Sequence, residues 1–354
     1  MSEYKIIITP AEPFFFGNEK SFRYPGQKIG GKYSNSYFIK SEEVPSQSTI
    51  LGALRYILIP HKNYPNDENK RKENEAAVGK LSFNIELSSK DGFGKIKSVS
   101  PVFIVRGEKN YIPVPFNHNK SAKGKTYKPF EKFGRVETPD GKKLYAKDFD
   151  VKEGITSDYV EVSETAEIIK KDDIFASSVR VGINKSLPKK GFFKKEYKML
   201  NRGYSFAVFA DIDEEIIETE TVCLGQGKSP FAFRFIKTYD TAYVDFKKSI
   251  AKLLYRFESN KNLIYCFGDA FPNGNPCDGT LFTVLDTKDF RSFCTNTGGK
   301  IKKGGTLYRL VKAGSIFITE DGKAKEWTEK NKNEYANKIG YNQFITAEEL
   351  NNEI

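Results

Sequence analysis

Apolar positions along this chain repeat with two different periods. In "VPSQSTILGALRYILIP" (44–60), Ile50, Leu51, Leu54, Ile57 and Leu58 fall on one side of a 3.6-residue repeat, which predicts an amphipathic helix. Ser48 or Thr49 supplies a hydroxyl to cap its start, Gly52 and Ala53 leave room for close packing, and Pro60 closes it. "TAYVDFKKSIAKLLYRF" (241–257) has the same period and predicts a second helix, with Val244, Ile250, Leu253, Leu254 and Phe257 inward. "PFAFRFI" (230–236) alternates instead. Phe231, Phe233 and Phe235 share one face, the pattern of a core strand, and Ala232, Arg234 and Ile236 share the other.

Further short apolar runs predict strands at 4–10, 81–89, 96–107, 205–213, 262–269, 279–286, 305–311 and 314–318. An aromatic turn, "FFFGNEKSF", follows the first of them. Strands and helices mix without a regular βαβα alternation, so an α+β fold with antiparallel sheets is expected. The polar stretch 62–80 reads as a mobile surface insertion, and 108–165 as an elaborated loop region with hairpins. No internal repeat is visible. A length of 354 residues suggests about two domains.

Charge adds a partner class to this picture. The net charge is +11 and the isoelectric point is near 9.1, which favours a polyanion such as nucleic acid. The four cysteines form no C-x-x-C, which argues against a zinc site or a disulfide framework and for reduced, cytosolic thiols. The N-terminal stretch lacks the pattern of a signal peptide, and no apolar run reaches transmembrane length.

Candidate chemistry narrows quickly. Gly227-Lys228-Ser229 ends like a nucleotide-triphosphate loop, but the required first glycine is replaced by Val222, and a strand rather than a helix follows. Gly225-x-Gly227 fails as a dinucleotide fingerprint because Pro230 stands where the third glycine belongs. Only His61 and His118 offer imidazole, both in expected loops, and no metal-spaced set appears. The adjacent acids Asp172-Asp173 and Glu214-Glu215 read as solvated surface. A histidine with Tyr and Lys can cleave RNA without metal, which keeps an endoribonuclease as the alternative.

Residues 179–204, "VRVGINKSLPKKGFFKKEYKMLNRGY", hold eight cations against the single acid Glu196, a local charge of +7. The cations are Arg180, Lys185, Lys189, Lys190, Lys194, Lys195, Lys198 and Arg202, interleaved with Phe192, Phe193, Tyr197 and Tyr204. Cations meet phosphates and aromatic faces stack bases, a composition suited to single-stranded RNA. The bland reading is a solvated basic hairpin with its rings in the core. "PFAFRFI" also resembles an RNA-recognition strand with exposed aromatics, although Pro230 and Arg234 depart from that pattern.

Several motifs taken in order resemble one family. They are "ITPAEPFFF", "VPSQSTILGALR", "RVGIN…GFFKKEY", "LGQGKSPF", "GGKIKKGGTLYRLVKAGSIFI" and "GYNQFI" (340–345). The set is similar to the third subunit of the type III-B CRISPR (Cmr) effector complex, within the repeat-associated RAMP superfamily. The resemblance implies two ferredoxin-like (RRM-like) domains with long inserted loops, at 1–175 (insertions at 62–80 and 108–165) and 176–354 (basic hairpin at about 180–204). It implies a non-catalytic, cytoplasmic subunit with no cofactor or metal. Such a subunit binds the 5′ handle of CRISPR RNA and bridges the large polymerase/cyclase-type subunit to the first backbone subunit in antiviral defence. No membrane and no homo-oligomer are implied. By position, Arg180, Gly182, Asn184, Lys185, Lys189, Lys190, Phe192, Lys194 and Lys195 then form a projecting hairpin beside the handle. Gly225, Gln226, Gly227, Lys228 and Ser229 form a loop against the RNA backbone, and Ser46, Ser48, Thr49 and Arg55 lie on a helix beside the guide or a neighbouring subunit. The family often carries Gly-Gly where this chain has Gly225-Gln226-Gly227. Local roles are the counterparts: a turn for Gly182, helix capping for Ser46, Ser48 and Thr49, a surface ion pair for Arg55.

Overall fold

The computed structural model describes residues 2–17, 21–23, 28–29, 32–33, 37–62, 67–85, 92–121, 124–139, 141–184, 191–216, 219–225, 227–257, 262–291, 293–295, 301–303 and 306–350. The architecture is α+β with mostly antiparallel sheets. Its centre is a nine-stranded antiparallel sheet. In spatial order this runs Ile168–Ile169, Tyr159–Glu161, Lys109–Pro113, Phe103–Arg106, Tyr204–Ile212, Ser2–Pro10, Ser229–Lys237 and Glu220–Leu224, with Ile96–Val99 also on Tyr204–Ile212. The first strand thus lies between two strands from beyond residue 176, so the sheet draws from both sides of the expected 175/176 boundary.

Alternation along the strands sends the apolar side chains to two faces. Tyr4, Ile6 and Ile8 join Phe206, Val208, Phe231 and Phe233 on one face, against Ile50, Leu51, Leu54 and Leu58 of the Gln47–Leu58 helix. Phe103, Val105, Ala207 and Phe209 form the other face, against Phe246, Ile250, Leu253 and Leu254 of the Ala242–Phe257 helix. Each fully buried Phe or Ile contributes about 1.5–3 kcal/mol, so these two faces hold the fold. Phe231 and Phe233 are wholly buried, which is the core-strand reading of "PFAFRFI". Val244 is only half-buried, and Phe246 takes the inward place expected of Val244; the Phe257 side chain lies outside the described residues. Beyond the second helix, Thr280–Val284, Ile316–Thr319, Leu263–Cys266 and Phe344–Ile345 form a four-stranded antiparallel sheet.

Several local expectations change. The first helix starts at Gln47 and its cap is Ser46, whose Oγ accepts from Thr49 N at 3.3 Å. Gly52 faces open space, so its lack of a side chain admits no neighbour, whereas Ala53 is buried. The stretch 62–80 contains a helix, Glu68–Val78, which Asp67 caps by accepting from Asn69 N and Lys70 N. Arg71–Glu75 and Lys72–Glu68 pairs line its surface, and Ala77 and Val78 enter the core. Residues 81–85 form no strand, while the rest of the run at 81–89 lies outside the described residues. There Phe83 stacks between Tyr335 and Tyr341 instead of alternating in a sheet.

Candidate nucleic-acid interface

A second four-stranded sheet carries the basic segment. Phe175–Asn184 and Gly191–Leu200 pair antiparallel over ten residues each, and Gly191–Leu200 continues in parallel onto Tyr37–Lys40. The hairpin therefore begins before residue 180 and ends at Leu200. A turn at Gly203, whose φ is +89°, starts the next strand. Tyr204 is for this reason no part of the hairpin. It is buried in the central sheet, with the Arg106 guanidinium 5.0 Å from its ring centre.

The ladder sorts the basic segment onto two faces. Arg180 stands opposite Lys195, Gly182 opposite Phe193 and Ser178 opposite Tyr197, all on one face. The Arg180 guanidinium lies 4.5 Å from the centre of the Tyr197 ring. Lys195 Nζ lies 5.3 Å from the Phe15 ring and 5.6 Å from the Phe193 ring. Phe15 and Tyr197 meet at 5.5 Å. Neither Arg180 nor Lys195 has a carboxylate partner among the described residues. Gly182 sits in mid-strand rather than in a turn. A Cβ there would lie 2.2 Å from Phe193 Cζ, so glycine makes the seat for that ring.

Val179, Val181, Lys194, Glu196 and Lys198 belong to the other face. Lys198 Nζ is 3.0 Å from Glu196 and 3.5 Å from Glu43, and it donates to Ser177 Oγ at 2.9 Å. Lys171 completes the cluster at 3.1 Å from Glu43. Burial opposes ionisation of Glu196, but Lys198, Ser177 and Lys40 outweigh it and hold the carboxyl below the usual carboxylate range. One of the eight cations is thus spent inside the fold.

The glycine loop meets the first of these faces. Lys228 N donates to Gly225 O at 3.1 Å, closing a turn between Glu220–Leu224 and Ser229–Lys237. Gly225 has φ +72°, and a Cβ on it would lie 2.3 Å from Phe15 O. Gly227 lies beside Tyr197 and Phe15. Lys228 is exposed, with φ +52°, an uncommon conformation for a residue with a side chain. Ser229 is buried and donates to Pro13 O at 2.9 Å, tying the turn to the aromatic segment. Phe14 and Lys198 exchange backbone hydrogen bonds at 2.8 and 3.0 Å, which fixes that segment to the hairpin. Phe14 and Phe16 enter the core, and Phe15 alternates the opposite way, toward Lys195 and Tyr197.

The remaining sequence candidates are placed less closely. Ser46 Oγ is 3.0 Å from Ser48 Oγ and 2.9 Å from Thr49 Oγ1, a hydroxyl cluster at the helix start. Ahead of this helix, Ser41 N–H donates to Glu196 O and Glu43 pairs with Lys198, which ties the preceding segment, rather than the hydroxyls, to the hairpin. Arg55 donates to Gly79 O and Leu81 O, both at 2.9 Å, and so clasps the segment after the Glu68–Val78 helix rather than a carboxylate. Only the backbone of Asn184 and Phe192 is described, and Lys185, Lys189, Lys190 and Gln226 lie outside the described residues. His61 pairs with Glu73, while His118 Nδ1 accepts from Lys128 N at 3.1 Å, beside Tyr127. Burial lowers the His118 pKa. Among the described residues no His, Cys, Asp and Glu group could hold a metal ion, and no helix is long and apolar enough to cross a membrane.

Phe15 and Glu43 are the contributors that residue types alone did not single out. The alternation within "FFF" carries the signal for Phe15: if its neighbours face the core, it faces away. Nothing local marks Glu43.

Comparison with solved structures finds distant likeness. A chain of the cryo-EM structure of the Type III-B Cmr-beta complex bound to cognate target RNA and AMPPnP matches at 13% identity and TM-score 0.49, over 97% of this chain and 96% of that one. A chain of the Csm3–Csm4 subcomplex of the type III-A interference complex matches at 13% identity and TM-score 0.37, over 90% and 92%. One from the Csm1–Csm4 cassette with pppApA matches at 10% and 0.32, over 90% and 87%. Among curated proteins no sequence matches. The family model for the CRISPR-associated protein Cas_Cmr3 matches residues 6–252, more than half of the sequence, and the chain therefore belongs to that family.

Proposed function

We infer that this chain is a non-catalytic RNA-binding subunit of a type III-B CRISPR effector complex. In this reading it holds the repeat-derived 5′ handle of CRISPR RNA and joins the large polymerase/cyclase-type subunit to the first backbone subunit, in the cytoplasm. Family membership supports the setting. One observation carries the RNA-binding reading. Arg180 and Lys195 stand opposite each other without a carboxylate among the described residues, beside an exposed glycine turn with Lys228. A fold that has neutralised Lys198 with two acids leaves these cations available to an external polyanion. In this reading the Gln47–Leu58 and Ala242–Phe257 helices, packed on opposite faces of the shared sheet, belong to two ferredoxin-like units.

The test uses the full chain and a labelled repeat-derived RNA in EDTA. Expected is salt-sensitive binding without cleavage, with ultraviolet crosslinks to the hairpin, and co-purification with the large and backbone subunits. Cleavage that is lost in His61→Ala or His118→Ala favours the endoribonuclease instead. Absence of RNA binding contradicts the reading altogether.

A further inference from the structure

The sequence offers the hairpin's aromatics as stacking platforms for bases, but the geometry gives them another use. Like charges at directly opposed positions of an antiparallel ladder destabilise it, because their Cβ atoms stand only about 5 Å apart. Arg180 and Lys195 are such a pair. Each is held against ring faces of the same surface: Arg180 against Tyr197, Lys195 between Phe15 and Phe193. The electron-rich faces offset part of the repulsion and fix where the two cations stand. The rings are also closed off in other ways. Phe15 is buried, Phe193 lies over Gly182, and Tyr197 has Phe15 on one side and Gly227 nearby. Two fixed cations side by side are a receptor for one compact anion shared between them.

We propose that Arg180 and Lys195 form a seat for a single backbone phosphodiester, with the rings orienting the cations instead of stacking bases. This rests on the RNA-binding reading above and sharpens it: the seat senses the RNA's backbone and is blind to its sequence. Two neighbouring cations act differently. Lys198 is neutralised on the opposite face, and Lys228 lies on the neighbouring turn.

The test compares the full chain with its Arg180→Gln/Lys195→Gln variant on four RNAs of one length: the native handle, a scrambled sequence, an abasic series and a methylphosphonate series. A single-strand contact with one phosphate changes the logarithm of affinity by about 0.7 per tenfold change in salt, so the variant is expected to bind about fivefold more weakly near 0.1 M salt. That ratio should be the same on the native, scrambled and abasic RNAs. It should collapse to near one at a single methylphosphonate position. A ratio that falls at an abasic position, with no effect of methylphosphonates, overturns the phosphate seat and leaves RNA binding standing. Failure of the unmodified chain to bind any of the four overturns both. Retention of the fivefold ratio at every methylphosphonate also overturns the seat.

Discussion

Lys195 and Lys198 lie three residues apart on one strand, yet they belong to different kinds of surface. Lys198 is surrounded by Glu43, Glu196 and Ser177 and is mostly covered. Lys195 faces Arg180 and two aromatic rings. The pleat alone separates them, since neighbouring positions on a strand point to opposite sides. The difference teaches that local charge density overstates a binding surface. What marks one is a cation for which the fold provides no counter-charge.

Changes to the scaffold beneath this contrast should have the largest effects. Gly225→Ala forces a side chain into a φ of +72° and against Phe15 O, so a loss of about 2–3 kcal/mol is expected in urea unfolding. Gly227→Ala has no such obstacle, its Cβ meeting only ordinary contacts at 3.5 Å and beyond, and should stay within about 0.5 kcal/mol. A large loss for Gly227→Ala would mean that the turn is held in another way.

Next comes the satisfied side of the comparison. Lys198→Met removes the cation shared by two carboxylates and should lower stability by about 1–2 kcal/mol, discounted because the cluster is only partly buried. The Arg180→Gln/Lys195→Gln variant should leave stability within about 0.5 kcal/mol, since it relieves like charges and breaks no ion pair. Equal losses in the two variants would erase the distinction between the faces.

The smallest effect is a pH dependence. The Glu196 carboxyl titrates below its ordinary range in the folded chain. It therefore contributes stability that is present above the unfolded carboxylate pKa and is lost as the pH falls through the folded value. Unfolding midpoints compared between pH 7 and pH 3 should fall less in Lys198→Met than in the native chain. An equal or steeper fall would show that Lys198 is not what holds Glu196 ionised.

The pattern of apolar residues carried much of the fold. Helical period placed Ile50, Leu51, Leu54 and Leu58 in the core, and strict alternation placed Phe231 and Phe233 there. It missed the Glu68–Val78 helix because polar residues dominate its surface, although Asp67 and Gly79 are legible as its caps. It assigned "LSFNIELSS" to a strand because alternation cannot register that Phe83 is claimed by Tyr335 and Tyr341, about 250 residues away along the chain. At the candidate interface, residue types pointed to the hairpin and the glycine turn. Their meeting through Phe15 depends on a sheet built from residues far apart in sequence, and the neutralisation of Lys198 depends on Glu43, equally remote.

The most direct measurement of the central claim is the slope of log affinity against log salt for single-stranded handle RNA, in three full-length chains. If Arg180 and Lys195 hold a phosphate and Lys198 does not, Arg180→Gln/Lys195→Gln should flatten the native slope by about 0.7, and Lys198→Met should leave it unchanged. Equal slopes in all three chains, or flattening in Lys198→Met alone, would contradict the account.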